Sequence, residues 1–160
     1  MTRDGVSPSA DILDVVLGRF TAALLHRGPD GIGRHVRDDV ALVHTRLAVV
    51  DVAHGAQPFV ALDGIALIAN GEIYNDPALR LVLNDARFAT GSDCESALHL
   101  YRRDGERFAE GLRGMYALAI HDPGRRRLVL ARDPFGIKPL YYAETPRGFY
   151  FASEPQALIA

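Results

Sequence analysis

Leu13, Val16, Leu17, Phe20 and Leu24 recur at steps of three and four, which places them on one face of a helix. Ser9 stands where an N-cap belongs, so the spacing predicts an amphipathic helix ending near His26. Arg27-Gly28-Pro29-Asp30-Gly31 follows as turn chemistry. Residues 40–50 are rich in valine and leucine and read as strand, in one piece or in two with a bend. Residues 65–69 form a short apolar strand that Asn70-Gly71 breaks. Asp76-Pro77 sets an N-cap before a proline at the first helical position, predicting a helix to about Arg87. Ser92 and Glu95 match a capping box ahead of an apolar face of Ala97, Leu98 and Tyr101. From residue 115 the pattern shortens. Residues 115–121, 128–132, 139–143 and 149–152 read as strands, joined by Asp122-Pro123-Gly124, Pro134-Phe135-Gly136 and Pro146-Arg147-Gly148. Helices first and a meander of strands later predict an α+β fold with antiparallel sheets.

The chain has 160 residues, enough for one domain with one substantial core. Apolar residues make up 48% and charged residues 24%, a globular balance. A net charge of -2 argues against nucleic acid or an anionic membrane as the main partner. Cys94 is the single cysteine, so no intrachain disulfide forms. No apolar run reaches the roughly 18 residues of a membrane span. Residues 1–10 are polar, carry no periodic signal, do not read as a signal peptide, and are expected to be mobile. A cytoplasmic protein is the default expectation.

The histidines are scattered, and no His or Cys pair has metal-ligand spacing. Neither a phosphate-binding glycine loop nor a Gly-x-Ser-x-Gly elbow is present. What remains is polar residues at the ends of apolar strands. His44-Thr45-Arg46 interrupts one strand, Asn70-Gly71-Glu72 follows another, and Ser92-Asp93 opens a helix. Such groups line clefts, because rigid elements hold them in place. Spacing alone favours the plainer reading of turns and caps.

The complete strings shift that balance. His26-Arg27-Gly28-Pro29-Asp30-Gly31, Arg46-Leu47-Ala48-Val49-Val50-Asp51, Gln57-Pro58, Asn70-Gly71-Glu72-Ile73-Tyr74-Asn75, Thr90-Gly91-Ser92-Asp93-Cys94-Glu95 and the run from Arg132-Asp133-Pro134-Phe135-Gly136 to Tyr142 stand in one order. From about His26 to Ala160 this series resembles the N-terminal domain of glutamine-dependent asparagine synthetases, which are class II glutamine amidotransferases among the N-terminal-nucleophile hydrolases. The resemblance implies a four-layer αββα sandwich of two antiparallel sheets, with a pocket for L-glutamine at one end and no cofactor in this domain. By that resemblance Arg46 grips the substrate carboxylate, where a planar fork suits a planar anion. Its plainer reading is a surface ion pair. Asp93 receives the substrate ammonium, beside a plainer role in capping. Asn70 and Gly71 resemble an oxyanion hole, with an Asn-Gly turn as the rival reading. Glu72 resembles a further substrate contact, and Val49 and Val50 line the pocket through backbone groups.

The family begins, once methionine is removed, with Cys-Gly-Ile on a central strand. That cysteine is the nucleophile and its own amine the base. Here Thr2-Arg3-Asp4-Gly5 stands instead, and the catalytic strand is missing. Cys94 belongs to a motif where cysteine packs in the core, and it is no substitute. Three explanations stand open: a degenerate glutaminase, a true start lying upstream, or Thr2 as a replacement nucleophile. Ser153-Glu154-Pro155-Gln156-Ala157-Leu158 resembles the exit from the glutaminase domain, so a synthetase on a separate or missing segment is the expected partner. A homo-oligomer is left open. The expected function is an impaired glutaminase of an asparagine-synthetase-like system. The alternative is a non-catalytic glutamine-binding or scaffold module.

Overall fold

The computed structural model describes residues 9–159. The sequence expectations for Thr2, for mobility at the start of the chain and for the missing catalytic strand fall on residues 1–8, outside that range. Helix α1 (Ala10–Leu24) runs into a 3₁₀ turn (Leu25–Arg27). Strands β1 (Gly31–Arg37) and β2 (Val40–Arg46) form a hairpin. Next come β3 (Phe59–Val60), β4 (Ala66–Ile73), α2 (Asp76–Val82), α3 (Glu95–Asp104) and a 3₁₀ segment (Gly105–Gly111). The chain ends with β5 (Gly114–Asp122), β6 (Arg127–Arg132), β7 (Tyr141–Thr145), β8 (Gly148–Ala152) and α4 (Pro155–Ile159). All strand pairings between these elements are antiparallel.

These elements stack in four layers, the α+β sandwich that the resemblance implies. The order β3-β4-β5-β6 makes one sheet. Its central strands carry near-continuous apolar runs because both faces are covered. Below it, α3 presses Leu98 and Tyr101 into a core with Leu67, Leu118 and Ile120. Burying one such side chain contributes about 1.5–3 kcal/mol. Above the sheet lie the two hairpins, with Val40 and Leu42 of β2 packed on Ala66 of β4, and Ile68, Leu128 and Phe151 alongside. The outermost layer is α1 with α4, where Leu24, Ala152 and Ala157 meet. Among the described residues the upper layer consists of two hairpin units, β1-β2 and β7-β8. So β5-β6 and β7-β8 are hairpins in different layers rather than one meander.

Several boundaries differ from the sequence reading, each for a physical reason. Gly31–Arg37 is a strand where a turn and an unassigned stretch were expected, because its glycines and basic residues mask the alternation of an outer strand. β2 ends at Arg46 and not at residue 50, because the Arg46 side chain holds the following backbone in a loop. β4 passes straight through Asn70-Gly71 to Ile73 in unbroken register with β5. Helix α2 takes Asn75 as its N-cap and stops at Val82; Asp76 instead accepts hydrogen bonds from Arg80 and Ser96. The Ser92–Glu95 capping box does not form. Glu95 reaches further back, accepting bonds from Ala89 N and Thr90 N, each at 2.7 Å. Burial works against its charge, yet those amides, His99 and the Thr90 hydroxyl outweigh it and hold its pKa at about 2. Ser9 precedes α1 but makes no side-chain cap bond. Among the described residues no helix is long and apolar enough to cross a membrane.

One polar pair locks the lower core to the end of β5. Tyr101 Oη donates to Asp122 Oδ2 at 2.9 Å, with both residues buried. Burial and this bond push the Tyr101 phenol up to about 12. Burial opposes ionisation of Asp122 as well, but bonds from Arg125 and Tyr101 prevail and keep its carboxyl below the usual range. Tyr101→Phe keeps the ring against Phe108 and removes one donor from a buried carboxylate. It is expected to destabilise the fold by about 1–2 kcal/mol, read as a lower urea midpoint with an unchanged slope.

Candidate functional site

A cavity of about 530 Å³ lies between the upper and lower strand layers. Its walls are mostly apolar, and its polar residues come from three chain segments: β2 with the loop after it, the second half of β4, and the approach to α3. Arg46, Val49, Val50, Asn70, Gly71, Glu72 and Asp93 all line it. The structure thus brings together every site residue named from the sequence that falls within the described range. Thr2 lies outside that range.

Each segment is held by backbone hydrogen bonds to polar side chains. Arg46 Nη2 donates to the carbonyls of Asp51 at 2.7 Å and Val50 at 3.3 Å, and Nη1 donates to Val52 at 3.0 Å. This wraps residues 50–52 around the guanidinium and leaves donors uncommitted on its fork among the described bonds. Asp51 sits at a positive φ of 47°, which aspartate tolerates. Its carboxylate accepts from Gly91 N at 2.7 Å, which with His54 holds its pKa down against burial. The loop after β2 is thereby tied to the segment that presents Asp93. Asp93 Oδ2 in turn accepts from Ile73 N at 2.5 Å, which joins that segment to the end of β4.

The backbone of β4 just before Asn70 is clamped. Gln57 Oε1 accepts from Ala69 N at 2.6 Å and Nε2 donates to Ala69 O at 3.2 Å, so this side chain continues the ladder beyond the two residues of β3. His44 Nε2 donates to the same carbonyl at 3.2 Å. A carbonyl only accepts, so the proton sits on Nε2 and Nδ1 is a lone-pair acceptor. Asn70 Nδ2 and His44 Nδ1 are both buried without a partner among the described residues. Beyond them, Gly71 adopts φ +154°, and a Cβ there would stand 2.6 Å from Tyr116 Cα. Only glycine fits between this turn of the strand and β5. Sequence reasoning gave Gln57 and Asp51 no role, and placed His44 only within a polar segment of the kind that lines clefts. Gln57 and Asp51 stood inside the quoted strings, and nothing in their spacing marks them as backbone clamps.

Cys94 lines the cavity but is 3% exposed, and its Sγ donates to Gly71 O at 3.5 Å. Burial first, then the carboxylates of Asp93, Asp76 and Glu72, push its thiol far above the ordinary range. It is a protonated packing group, and the thiolate is the reactive form. Iodoacetamide at pH 8 is expected to modify Cys94 only after denaturation; rapid alkylation of the native chain, followed by mass spectrometry, would contradict this burial.

Burial lowers the His44 pKa from 6.5 to about 4, with Arg46 adding to the effect and the Ala69 carbonyl opposing it. The folded state therefore keeps this imidazole neutral where the unfolded chain takes a proton. Its contribution is complete above pH 6.5 and is lost as pH falls toward 4, a total of about 3 kcal/mol. His35 and His121, 3.1 Å apart, are lowered by burial in the same sense. Stability should fall as pH is lowered across this window, and His44→Gln should flatten that dependence without abolishing it. An unchanged slope in the variant counts against the assignment.

Among the described residues no cluster of three or more His, Cys, Asp or Glu side chains has the geometry to hold a metal ion. The cavity's chemistry is that of a cation and carboxylates around a buried amide donor. Sequence comparison places this arrangement. A sequence model of the glutamine amidotransferase domain matches residues 6–160. Asparagine synthetase [glutamine-hydrolyzing] 2 of Bacillus subtilis (strain 168) is 40% identical over 146 residues, which covers 91% of this chain and 20% of that protein. Asparagine synthetase B [glutamine-hydrolyzing] of Escherichia coli (strain K12) is 44% identical over 137 residues, covering 84% and 25%. The chain thus spans about a fifth to a quarter of the curated relatives it matches. In three dimensions it resembles the glutamine phosphoribosylpyrophosphate amidotransferase from B. subtilis complexed with ADP and GMP. The TM-score is 0.64 at 28% identity, covering 78% of this chain and 30% of that one. Strings, layered fold and comparisons agree: the chain belongs to the class II glutamine amidotransferase domain family.

Proposed function

We propose that this domain binds L-glutamine at the polar end of the cavity and serves an asparagine-synthetase-like system that uses ammonia. The observation that carries the reading is the buried Asn70 Nδ2, without a partner among the described residues, in the cavity that Arg46 and Asp93 also line. In this reading the free donors of Arg46 take the substrate carboxylate, and Asp93 and Glu72 take the ammonium. The carbonyls of the loop after β2 support the main-chain end. The side-chain amide then reaches Asn70. Attack on that amide creates an oxyanion, and Asn70 Nδ2–H with Gly71 N–H would stabilise it.

Hydrolysis also needs a nucleophile. Cys94 is protonated, buried and bonded to Gly71, so the chain as given is read as binding glutamine with impaired or no turnover. Thr2 is the remaining candidate within this sequence. A synthetase on another segment or chain would use the ammonia in a catalytically complete assembly. The second reading, a glutamine-binding module that supports a synthetase without hydrolysis, uses the same pocket and differs only in turnover.

Isothermal calorimetry on the full chain tests the pocket. L-glutamine should bind, D-glutamine should bind more weakly, and Arg46→Ala should weaken binding about 10- to 100-fold, as expected for loss of a charge-assisted pair. Absence of L-glutamine binding would overturn the proposal. Ammonia release measured on the same protein separates the two readings. Turnover that vanishes in Thr2→Ala would identify a live enzyme with threonine as nucleophile.

A further inference from the structure

Opposite residues of an antiparallel pair point to the same face, and Leu42 of β2 packs on Ala66 of the lower sheet. The register therefore turns His35 and Gly33 of β1 toward that sheet, opposite Leu42 and His44. Ile32 and Val36 point the other way and are exposed. Every residue of β1 is half-buried or exposed, so this strand brings little apolar anchorage of its own. Its first half is held by close approach: a Cβ on Gly33 would collide with the Gln57 carbonyl. Its second half meets β5 through His35, whose Nε2 lies 3.1 Å from Nδ1 of His121. The rings meet edge to face, with centroids 5.4 Å apart. His121 is 2% exposed and His35 is half-buried.

We propose that the His35–His121 pair is an acid-sensitive latch, which holds the second half of β1 on the lower sheet at neutral pH and releases it when a second proton arrives. Two neutral imidazoles share one N–H, with one nitrogen donating and the other accepting. Fully protonated rings carry donors only, so N–H would face N–H across 3.1 Å beside two positive charges. The charged groups that act on the pair are Arg37 on β1, Asp38 and Asp39 at the hairpin tip, and Asp122 on β5. Strands β2, β4 and β6 set Leu42, Ala66 and Leu128 beside the rings in register. Arg37 opposes a further positive charge on both rings; Asp38 favours it on both, and Asp39 and Asp122 favour it on His121. Asp122 is itself engaged by Tyr101 and Arg125. Burial outweighs the aspartates, so both histidines lie below the ordinary 6.5. The latch is therefore whole above pH 6.5 and is lost as pH falls through the lowered values. His35 already touches solvent, so it is the ring that leaves, and β1 leaves with it. β1 backs β2, whose residues 41–46 line the cavity, so acid loosens one cavity wall. The latch does not depend on what the cavity binds.

The test is amide hydrogen exchange on the full chain, expressed as protection factors so that the intrinsic pH dependence of exchange cancels. Between about pH 7 and about pH 4.5, protection at residues 34–37 should fall about tenfold more than protection in β4 and β5. His35→Gln keeps a side-chain donor for His121 and carries no titrating ring, so the selective fall should disappear. His121→Gln serves if the first variant fails to fold. NMR of the imidazole nitrogens should show the two rings taking their protons in separate steps, as coupled sites do. No fall, a fall of equal size in every strand, a selective fall that persists in the folded variant, or rings that titrate as independent groups would overturn the proposal. A selective fall in a chain that does not bind L-glutamine supports the latch and sinks the glutamine reading alone.

Discussion

The polar end of the cavity hangs on the close approach of Gly71 to the backbone of β5. β4 must stay paired with β5 through Asn70 and Gly71 while presenting one amide side chain to the cavity. That requires a residue without Cβ against Tyr116. Were β4 to break there, Asn70 would leave a rigid strand for a loop, and Glu72 and Ile73 would lose their register. Ile73 N is what Asp93 holds, so the acidic wall would move as well. A constraint of one missing methyl thus propagates to both sides of the site.

The rest of the site is cross-tied rather than merely adjacent. Arg46 orders the loop that follows its own strand, Asp51 of that loop reaches Gly91, and the segment after Gly91 carries Asp93 back to β4. These bonds join charged side chains to backbone groups, the stronger kind of hydrogen bond. The arrangement spares Arg46 the conformational freedom an unsupported arginine would lose on gripping a ligand. It also makes Asp51, Gln57 and His44 part of the site's rigidity without any of them needing to touch a substrate.

Much of this was legible in the sequence, for uneven reasons. α1 and α3 announced themselves by apolar periodicity, and β5 by its apolar run, because burial is what those patterns record. β1 did not, since an outer strand of glycines and basic residues has too little apolar signal to alternate. Asn70-Gly71 read as a strand end, because turn chemistry and close strand approach both call for glycine. The capping box misled for a related reason: Glu95 does reach back, but to Ala89 and Thr90 instead of the helix start. The site was legible through whole strings rather than spacing. Arg46, Asn70, Glu72 and Asp93 are far apart in the chain, and no local rule brings them to one cavity. The clamps at Asp51 and Gln57 stayed hidden because their partners are backbone groups, which every sequence contains.

The strand order also carries a kinetic consequence. The upper hairpins join near neighbours in sequence, β1 with β2 and β7 with β8. The lower ladder joins Ile73 to Gly114 and Ala66 to His121, so it must close a loop of about 40 residues before its first bond forms. Hairpins form in microseconds, whereas non-local pairing is slow. The meeting of β4 with β5 is then expected to be the slow step of folding, and α3 belongs to it because it lies within that loop and shares a core with both strands. The loop that must close also carries Asp93 and Cys94, so closing it brings the acidic wall of the pocket into place as well.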